Sequence, residues 1–307
     1  MIRVFSTRKD KPHHYKFLDM EAGSTDPNGV GFNPIEMSIS KDGRDWTSIY
    51  DVPDLRNVLV ADTPYVAEAK PDNHYQKVGI NDGESLLYSS YEQRELKVTF
   101  VFDGLSRGDT ELAFDALQRF LFTRQPYWIC FANWPQRMYY IMTTSIKQTH
   151  LTDRGYVAEA IFTDQVGLSR SVGSSGDWSK NGIIGFGNNE PLTTEEYSFT
   201  SSSFDVHNLS DVLIDPERRG QPFVMTMRGK SGGKMKVTNK TTNDVISRDK
   251  SFSGTFVLDG VEPYLDNKGD LLNTNYGVIT LQPGVNHFQV ENFSGTITFD
   301  FPFWWLS

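Results

Sequence analysis

Several stretches of the chain alternate apolar with polar residues. The clearest runs from Arg94 to Phe102, where Leu96, Val98 and Phe100 are each separated by a polar or small residue. Successive side chains of a β-strand point to opposite faces, so this alternation predicts a strand with one buried face. Strands with shorter patterns are predicted over 35–39, 127–131, 138–143 and 157–162.

One segment has a different period. Between Asp109 and Phe122, apolar residues including Leu117, Phe120 and Leu121 recur at helical spacing. Asp109 is a suitable N-cap, and Pro126 stops the pattern. The first half is therefore predicted to be a β-sheet with one amphipathic helix, 109–122, packed on it.

The second half contains short apolar stretches separated by Gly, Pro, Asn and Asp. Turn signals about every ten residues predict a β-sandwich or a barrel. Between the halves, residues 169–189 are rich in Gly and Ser, which favours a linker or crossover. The predicted domains are therefore 1–171 and 172–307.

Net charge, hydropathy and cysteine content argue against several classes of function for this chain. The 307 residues carry a formal net charge of −9, which disfavours sequence-specific nucleic-acid binding, since phosphates require a surplus of cations. No apolar run approaches the ~18 residues of a membrane span, so we expect a soluble protein made in a reducing cytoplasm. The single cysteine, Cys130, lies in an apolar run and is predicted to be a buried, inert thiol.

The motifs of enzymes are missing from the sequence. It contains no Gly-x-Ser-x-Gly elbow, no phosphate-binding P-loop and no His-x-x-x-His pair, and its one adjacent histidine pair is His13 with His14. We therefore expect no catalytic residue, no cofactor and no bound metal. Five tryptophans could form a sugar-binding platform, although packing in a core or an interface is the default for them: Trp46, Trp134, Trp178, Trp304 and Trp305.

The order of these elements resembles the distal tail proteins, called Dit, of long-tailed siphophages. The likeness rests on strand 91–102 with the helix after it, the strand pair 127–131 and 138–143, and strand 156–162. In the second half it rests on Gly220-Gln221-Pro222-Phe223, on 239–242 and 257–259, and on Leu281-Gln282-Pro283-Gly284-Val285-Asn286 before an aromatic C-terminus.

The resemblance implies a structural protein of the virion tail tip, assembled in the host cytoplasm. Its first domain would form a hexameric ring, or belt, that joins the tail tube protein to a tail-associated lysin or fibre protein. Its second, galectin-like sandwich would hold receptor-binding proteins. The alternative function is a carbohydrate-binding module that recognises a host cell-wall saccharide.

Seven apolar residues are the candidates for the ring interface or for the core behind it: Leu96, Val98, Phe100, Phe102, Leu117, Phe120 and Leu121. We further expect the edge of strand 94–102 to pair across subunits. The polar and acidic segment 40–90 does not match the family pattern. It is either a ring-forming extension or a loop that contacts a neighbour.

Overall fold

The computed structural model describes residues 2–11, 34–61, 63–80, 82–177 and 196–307. These residues form two compact units, one of Ile2–Val172 with Leu306–Ser307 and the other of Gly173–Trp305. The histidine pair His13 and His14 lies outside the described residues, as do Trp178 and most of the predicted linker. The described start of that linker, Ser169–Ser171, is a β-strand, so the prediction of a linker there is wrong.

The first unit is built on one large antiparallel sheet. Its strands are β1 Met37–Ser40, β2 Trp46–Ser48, β3 Val58–Val60, β4 Tyr65–Val66, β5 Pro71–Gln76, β6 Ser85–Tyr91, β7 Arg94–Asp103, β8 Tyr127–Phe131, β9 Arg137–Leu151, β10 Gly155–Asp164 and β11 Ser169–Ser171. The main sheet has the order β2-β1-β8-β9-β10-β7-β3, while β4 also pairs with β7 and β11 pairs with β9. Strands β5 and β6 form a separate two-stranded sheet.

Strand β7 shows how the alternating pattern determines which side chains are buried. Leu96, Val98 and Phe100 are at most 1% exposed, whereas the residues between them are exposed or half-buried. The apolar face packs into the core with Ala158, Ala160 and other residues of β10, its hydrogen-bonded neighbour. The predicted strand and its buried face are confirmed.

The helix of the first unit, α1, spans Arg107–Leu121, with short 3-10 turns at Ile49–Asp51 and Pro53–Leu55 earlier in the chain. The prediction that Asp109 is the N-cap is wrong. Ser106 is the N-cap, because its hydroxyl accepts a hydrogen bond from the Asp109 N–H at 3.3 Å. The Asp109 carboxylate in turn accepts from the Ser106 hydroxyl and the Leu105 N–H, which satisfies a further donor at the helix start.

A buried ion pair closes the end of β7. The Arg94 Nε donates to the Asp164 carboxylate on β10 at 3.0 Å, and the two side chains are 2% and 0% exposed. Arg94 also donates to the carbonyls of Ala67 and Leu306. Burial raises the pKa of Asp164, and the neighbouring guanidinium opposes this effect.

The second unit is an antiparallel β-sandwich, with a helical turn at 175–177 and a 3-10 turn at Leu271–Asn273. Its strands are β12 Ser198–Phe199, β13 Ser203–Asn208, β14 Val224–Ser231, β15 Met235–Asn239, β16 Asp244–Arg248, β17 Phe252–Asp259, β18 Glu262–Leu265, β19 Lys268–Gly269, β20 Gly284–Glu291, β21 Ser294–Asp300 and β22 Trp304–Trp305. One sheet has the order β12-β21-β14-β17-β18-β19, and the other β13-β20-β15-β16.

Aromatic rings fill the space between these two sheets. Phe299 from the first sheet lies 5.0 Å, centroid to centroid, from Phe288 of the second, and Phe204 and Phe223 also lie against Phe299. Such ring pairs stabilise a core beyond the area they bury. The mainly β architecture predicted from the sequence is confirmed. Segment 278–281 forms no strand, although an isolated bridge joins Leu281 to Ile214.

The buried ion pair generates the first prediction. We expect Asp164→Ala to lower the free energy of unfolding of the first unit by roughly 3–5 kcal/mol, because it leaves the Arg94 charge buried without its counter-ion. Denaturant unfolding measures the change. The matched control is Glu95→Ala, which removes the exposed Glu95–Lys97 pair and should cost at most about 1 kcal/mol. Equal losses for the two variants would contradict the assigned role of the ion pair.

Cys130 generates the second prediction. Its side chain is 0% exposed, and burial raises the pKa of its thiol far above the ordinary range. Since the thiolate is the reactive species, we expect no labelling by iodoacetamide in the folded protein and full labelling in denaturant. Mass spectrometry distinguishes the two states, and rapid labelling of the folded chain is the contrary result.

Candidate assembly surfaces

The seven candidate residues lie in the interior of the first unit. Phe120 is partly buried against the core of this unit. The other six are at most 8% exposed: Leu96, Val98, Phe100, Phe102, Leu117 and Leu121. Their side chains therefore do not form an outer surface of this unit. Any contribution they make to an assembly is through the rigidity of the sheet and helix.

Strand β7 is paired along both sides, so the expectation that its edge pairs across subunits is wrong. On one side β10 pairs with it over its whole length, from Arg94 to Asp103. On the other side β3 pairs with 100–102 and β4 with 96–97, while the N–H groups of Ala61 and Ala67 bond to the carbonyls of Thr99 and Glu95. The sequence pattern identifies a strand but does not show which neighbours fill its edges.

An open edge occurs instead on β9. Strand β8 begins at Tyr127, opposite Ile141, so within the described chain residues 144–151 of β9 pair only with β10. Register shifts opposite Val157–Ala158 and Ile161–Phe162 increase the local twist of this edge. An unpaired edge presents backbone donors and acceptors to which a strand of another chain can bind.

The hairpin β5–β6, which we call the arm, is the most exposed apolar element of the first unit. Among the described residues its strands pair only with each other, and none of its described side chains contributes to the core. Six large apolar residues of the arm and its loop are 53–99% exposed: Tyr75, Val78, Ile80, Leu86, Leu87 and Tyr88. A cluster of this kind marks a contact surface, because soluble monomers rarely leave so much apolar side chain in water.

Contacts along the arm hold its two strands together. Near its base, the Lys70 ammonium lies 2.6 Å from the Glu92 carboxylate, and the Glu92 N–H donates to the Lys70 carbonyl. Further out, the rings of His74 and Tyr88 stack with their centroids 4.3 Å apart. An isolated two-stranded hairpin is marginal in water, so a partner that covers its apolar side chains would stabilise it.

Apart from Tyr91, the arm lies within the segment 40–90, for which the sequence left two alternatives, a ring-forming extension or a loop that contacts a neighbour. A signal for it was present: Tyr75, the Asp82-Gly83 turn and Leu86-Leu87-Tyr88 are the residues of a hairpin. The alternation is weak because a register shift at His74–Tyr75 interrupts the period, and because both faces of the arm are exposed.

A groove beside the start of α1 is the third surface of this unit. It has a volume of about 480 Å³ and is lined by Phe102, Leu105 and Leu112 together with Asp54 and Arg119. Leu105 is 84% exposed and Leu112 is 67% exposed. The groove is thus an apolar surface bordered by charges of both signs.

The described residues contain no cluster of His, Cys, Asp or Glu that could hold a metal ion. Two His–carboxylate pairs occur in this part of the chain. His74 Nε2 lies 3.3 Å from Asp72 Oδ2 within the arm, and His287 Nδ1 lies 2.7 Å from Asp205 Oδ1 on the neighbouring strand. Within the described chain no Ser, Thr or Cys side chain bonds to the His287 ring, so no nucleophile completes this pair. No helix among these residues is long and apolar enough to cross a membrane.

The tryptophan platform has no support in the described structure. Trp304 and Trp305 are 7% and 2% exposed, and the Trp305 indole donates to the Leu209 carbonyl at 3.0 Å. Trp46 is half-buried and donates to the Gly43 carbonyl, while Trp134 is half-buried beneath the Arg137 guanidinium. These four rings pack within the protein and do not form an exposed sugar-binding row.

A family model matches a large part of the first unit. Residues 43–151, which contain the arm, the groove and the open edge of β9, match the family model described as the phage tail protein RIFT-related domain. No curated protein matches the sequence.

One solved structure extends the likeness over most of the chain. The Dit protein of phage SPP1, described as a paradigm of the hub adsorption apparatus in phages that infect Gram-positive bacteria, has a TM-score of 0.58 at 15% identity and covers 88% of this chain and 99% of its own. A chain of the phage P2 baseplate in its activated conformation with Ca has a TM-score of 0.42 at 11% identity, covering 88% and 98%.

The family match identifies a domain, and the SPP1 likeness concerns the fold of both units. Together they agree with the order of elements read from the sequence. Residues 43–151 therefore match the phage tail protein RIFT-related domain, the fold is similar to that of the SPP1 Dit protein, and the predicted resemblance to the siphophage distal tail proteins is confirmed.

Proposed function

We propose that this protein is a structural hub that closes a hexameric ring at the tip of a phage tail. The ring joins the tail tube protein to the tail-associated lysin or fibre protein, and it serves as the attachment point for receptor-binding proteins. Assembly takes place in the host cytoplasm before the protein becomes part of the virion. The mechanism is association of surfaces and requires no catalytic step.

One observation carries the proposal. The segment matched by the phage tail family contains the exposed apolar arm, and nothing in the described chain covers it. Full burial of one large apolar side chain is worth roughly 1.5–3 kcal/mol. Five of the six side chains are about half exposed and each would gain about half of this value, so together they provide a driving force that offsets part of the loss of rotational and translational freedom on association.

Two different surfaces are available to receive an arm or to pair with a neighbour. One is the groove lined by Leu105 and Leu112, and the other is the open edge of β9 at 144–151. Contact between unlike surfaces of identical chains is head to tail, and it produces a ring when the rotation between subunits closes. A rigid sheet fixes that rotation, which supports a ring of definite size rather than a filament.

The second unit supports the attachment role by its construction. It has a separate core, so it can present loops and sheet edges without disturbing the first unit. We propose that receptor-binding proteins attach to this sandwich. Each ring would then offer six copies of the attachment surface, which raises the avidity of the tail for its host.

The third prediction concerns the oligomeric mass of the protein. We expect size-exclusion chromatography with multi-angle light scattering to give the mass of six chains of 34.9 kDa, and negative-stain microscopy to show rings. A purely monomeric protein across the micromolar range would contradict the proposal.

The arm is the fourth prediction. The double variant Ile80→Asp with Leu87→Asp should lose the ring, because two charges replace apolar side chains that the neighbour buries. A loss of roughly 3 kcal/mol per contact weakens each contact about a hundredfold. Light scattering over a dilution series measures this change.

The matched control is Val261→Asp with Leu272→Asp, since these residues are 44% and 89% exposed on the second unit. We expect this control to retain the ring. Both double variants should unfold at the same temperature as the parent chain, because none of the four side chains belongs to a core. An intact hexamer in the arm variant would show that the arm is not part of the subunit interface.

A further inference from the structure

The second unit contains a polar cavity that the proposed ring does not use. Its volume is about 420 Å³, and it lies between the loop 213–218, the start of β16 and the segment 276–280. The ring of Tyr276 lines the cavity and is 62% exposed. Aromatic rings elsewhere in this unit are mostly buried in its core, so Tyr276 stands apart from them.

The backbone at Tyr276 has an unusual conformation. Its φ angle is +58°, a left-handed value that a bulky side chain rarely adopts. Asn275 holds the chain there, since its Oδ1 accepts from the Ser247 N–H at 2.8 Å and its Nδ2 donates to the Val245 carbonyl at 3.0 Å. A Cβ on Gly277 would lie only 1.9 Å from the Val245 carbonyl oxygen, so a glycine is required at that position.

These contacts have a structural role, because the Asn275 amide bonds to backbone groups on the outer edge of β16. That role explains Asn275 and Gly277 but does not explain a tyrosine between them. Glycine or asparagine would adopt the left-handed conformation more readily at position 276. An exposed aromatic ring kept in a strained position is a reason to look for a contact that uses the ring.

Two carboxylates build the wall of the cavity. Asp244 Oδ2 accepts hydrogen bonds from the Thr280 N–H at 2.8 Å and from the Thr242 hydroxyl at 2.7 Å. Asp215 Oδ1 accepts from the Arg218 N–H at 2.9 Å, which shapes the loop on the other side. These carboxylates therefore hold the backbone segments that surround the space.

Three further polar side chains line the cavity without structural partners. Glu217, Arg218 and Asn243 are exposed, and their side chains form no hydrogen bond or ion pair with any described residue. They supply a carboxylate, a guanidinium and an amide, which together offer both hydrogen-bond donors and acceptors. These groups are available to a ligand at no cost to the fold.

The charge and polarity of the lining select the class of ligand. Three carboxylates against one guanidinium give an excess of negative charge, which disfavours phosphates and other anions. The described residues hold no metal cluster, and the polar lining is unsuited to a purely apolar ligand. A neutral ligand with many hydroxyls and one apolar face matches both the polar groups and the ring.

We propose that this cavity binds a neutral saccharide. The Tyr276 ring stacks on the apolar face of one sugar, and Asn243, Glu217 and Arg218 form hydrogen bonds with its hydroxyls. Sites of this kind combine a concave shape with an aromatic side chain and a few convergent polar groups. The proposal goes beyond the hub function, since it gives the second unit a direct contact with the host surface.

The fifth prediction tests this site in the full-length chain. Saturation-transfer NMR and titration with the methyl glycosides of glucose, galactose and N-acetylglucosamine should detect binding of at least one sugar. We expect Tyr276→Ala to weaken it about tenfold or more, and Asn243→Ala to weaken it several-fold. Tyr276→Phe keeps the ring and should retain most of the affinity, as should the distant control Tyr65→Ala, whose ring is 56% exposed on the first unit.

The other outcomes overturn the proposal. They are no glycoside binding by the parent chain, equal binding by Tyr276→Ala, and binding of a ribitol phosphate polymer in place of the neutral sugars. Light scattering on the same samples shows whether Tyr276→Ala loses the hexamer, in which case the ring of Tyr276 is a subunit contact. Glycoside binding is measured whatever the oligomeric mass of the parent protein. A wrong proposal for the hexameric ring can therefore be distinguished from a wrong proposal for the saccharide site.

Discussion

The organisation of the first unit depends on the guanidinium of Arg94. This group is buried where β7 begins, and it binds the Asp164 carboxylate on β10 and the carbonyls of Ala67 and Leu306. Its plane also lies over the Tyr139 ring, with 5.6 Å between the guanidinium carbon and the ring centroid. Since burial raises the pKa of Asp164, the pair is not a large net source of stability. Its importance is that loss of either partner leaves a charge in the core.

The position of Arg94 connects this core to the arm, the proposed assembly surface. The chain leaves the main sheet after Ala67, forms the arm between Pro71 and Tyr91, and returns to the sheet at Arg94. The hydrogen bond from Arg94 to the Ala67 carbonyl therefore joins the two ends of the arm at its base. A rigid base with an exposed apolar tip is suited to reach a neighbouring subunit at a fixed angle. The proposed ring needs this property, because small errors in the angle between subunits accumulate around a closed ring.

Sequence patterns predicted elements that are governed by local periodicity. The strand β7 has a strict alternation, and α1 has a clear apolar face, so both were found within a few residues of their observed ends. The N-cap was misplaced because Ser106 and Asp109 bond to each other, and either residue type suits a helix start. The neighbours of β7 could not be predicted, because β3 and β4 pair with it from positions thirty or more residues earlier in the chain, and no local pattern indicates that pairing.

The roles of the aromatic residues of the second unit likewise depend on contacts that are distant in the sequence. Composition suggested tryptophan as the residue that would meet a sugar, yet Trp304 and Trp305 are buried, and the Trp305 indole N–H donates to a backbone carbonyl. Tyr276 was not distinguished in the sequence, because its exposure arises from Asn275 and Gly277, which bond to or approach a strand about thirty residues away. A residue type alone therefore does not indicate a binding role. The informative feature is a side chain that the fold holds in solvent against its own conformational preference, and that feature is visible only once the backbone around it is known.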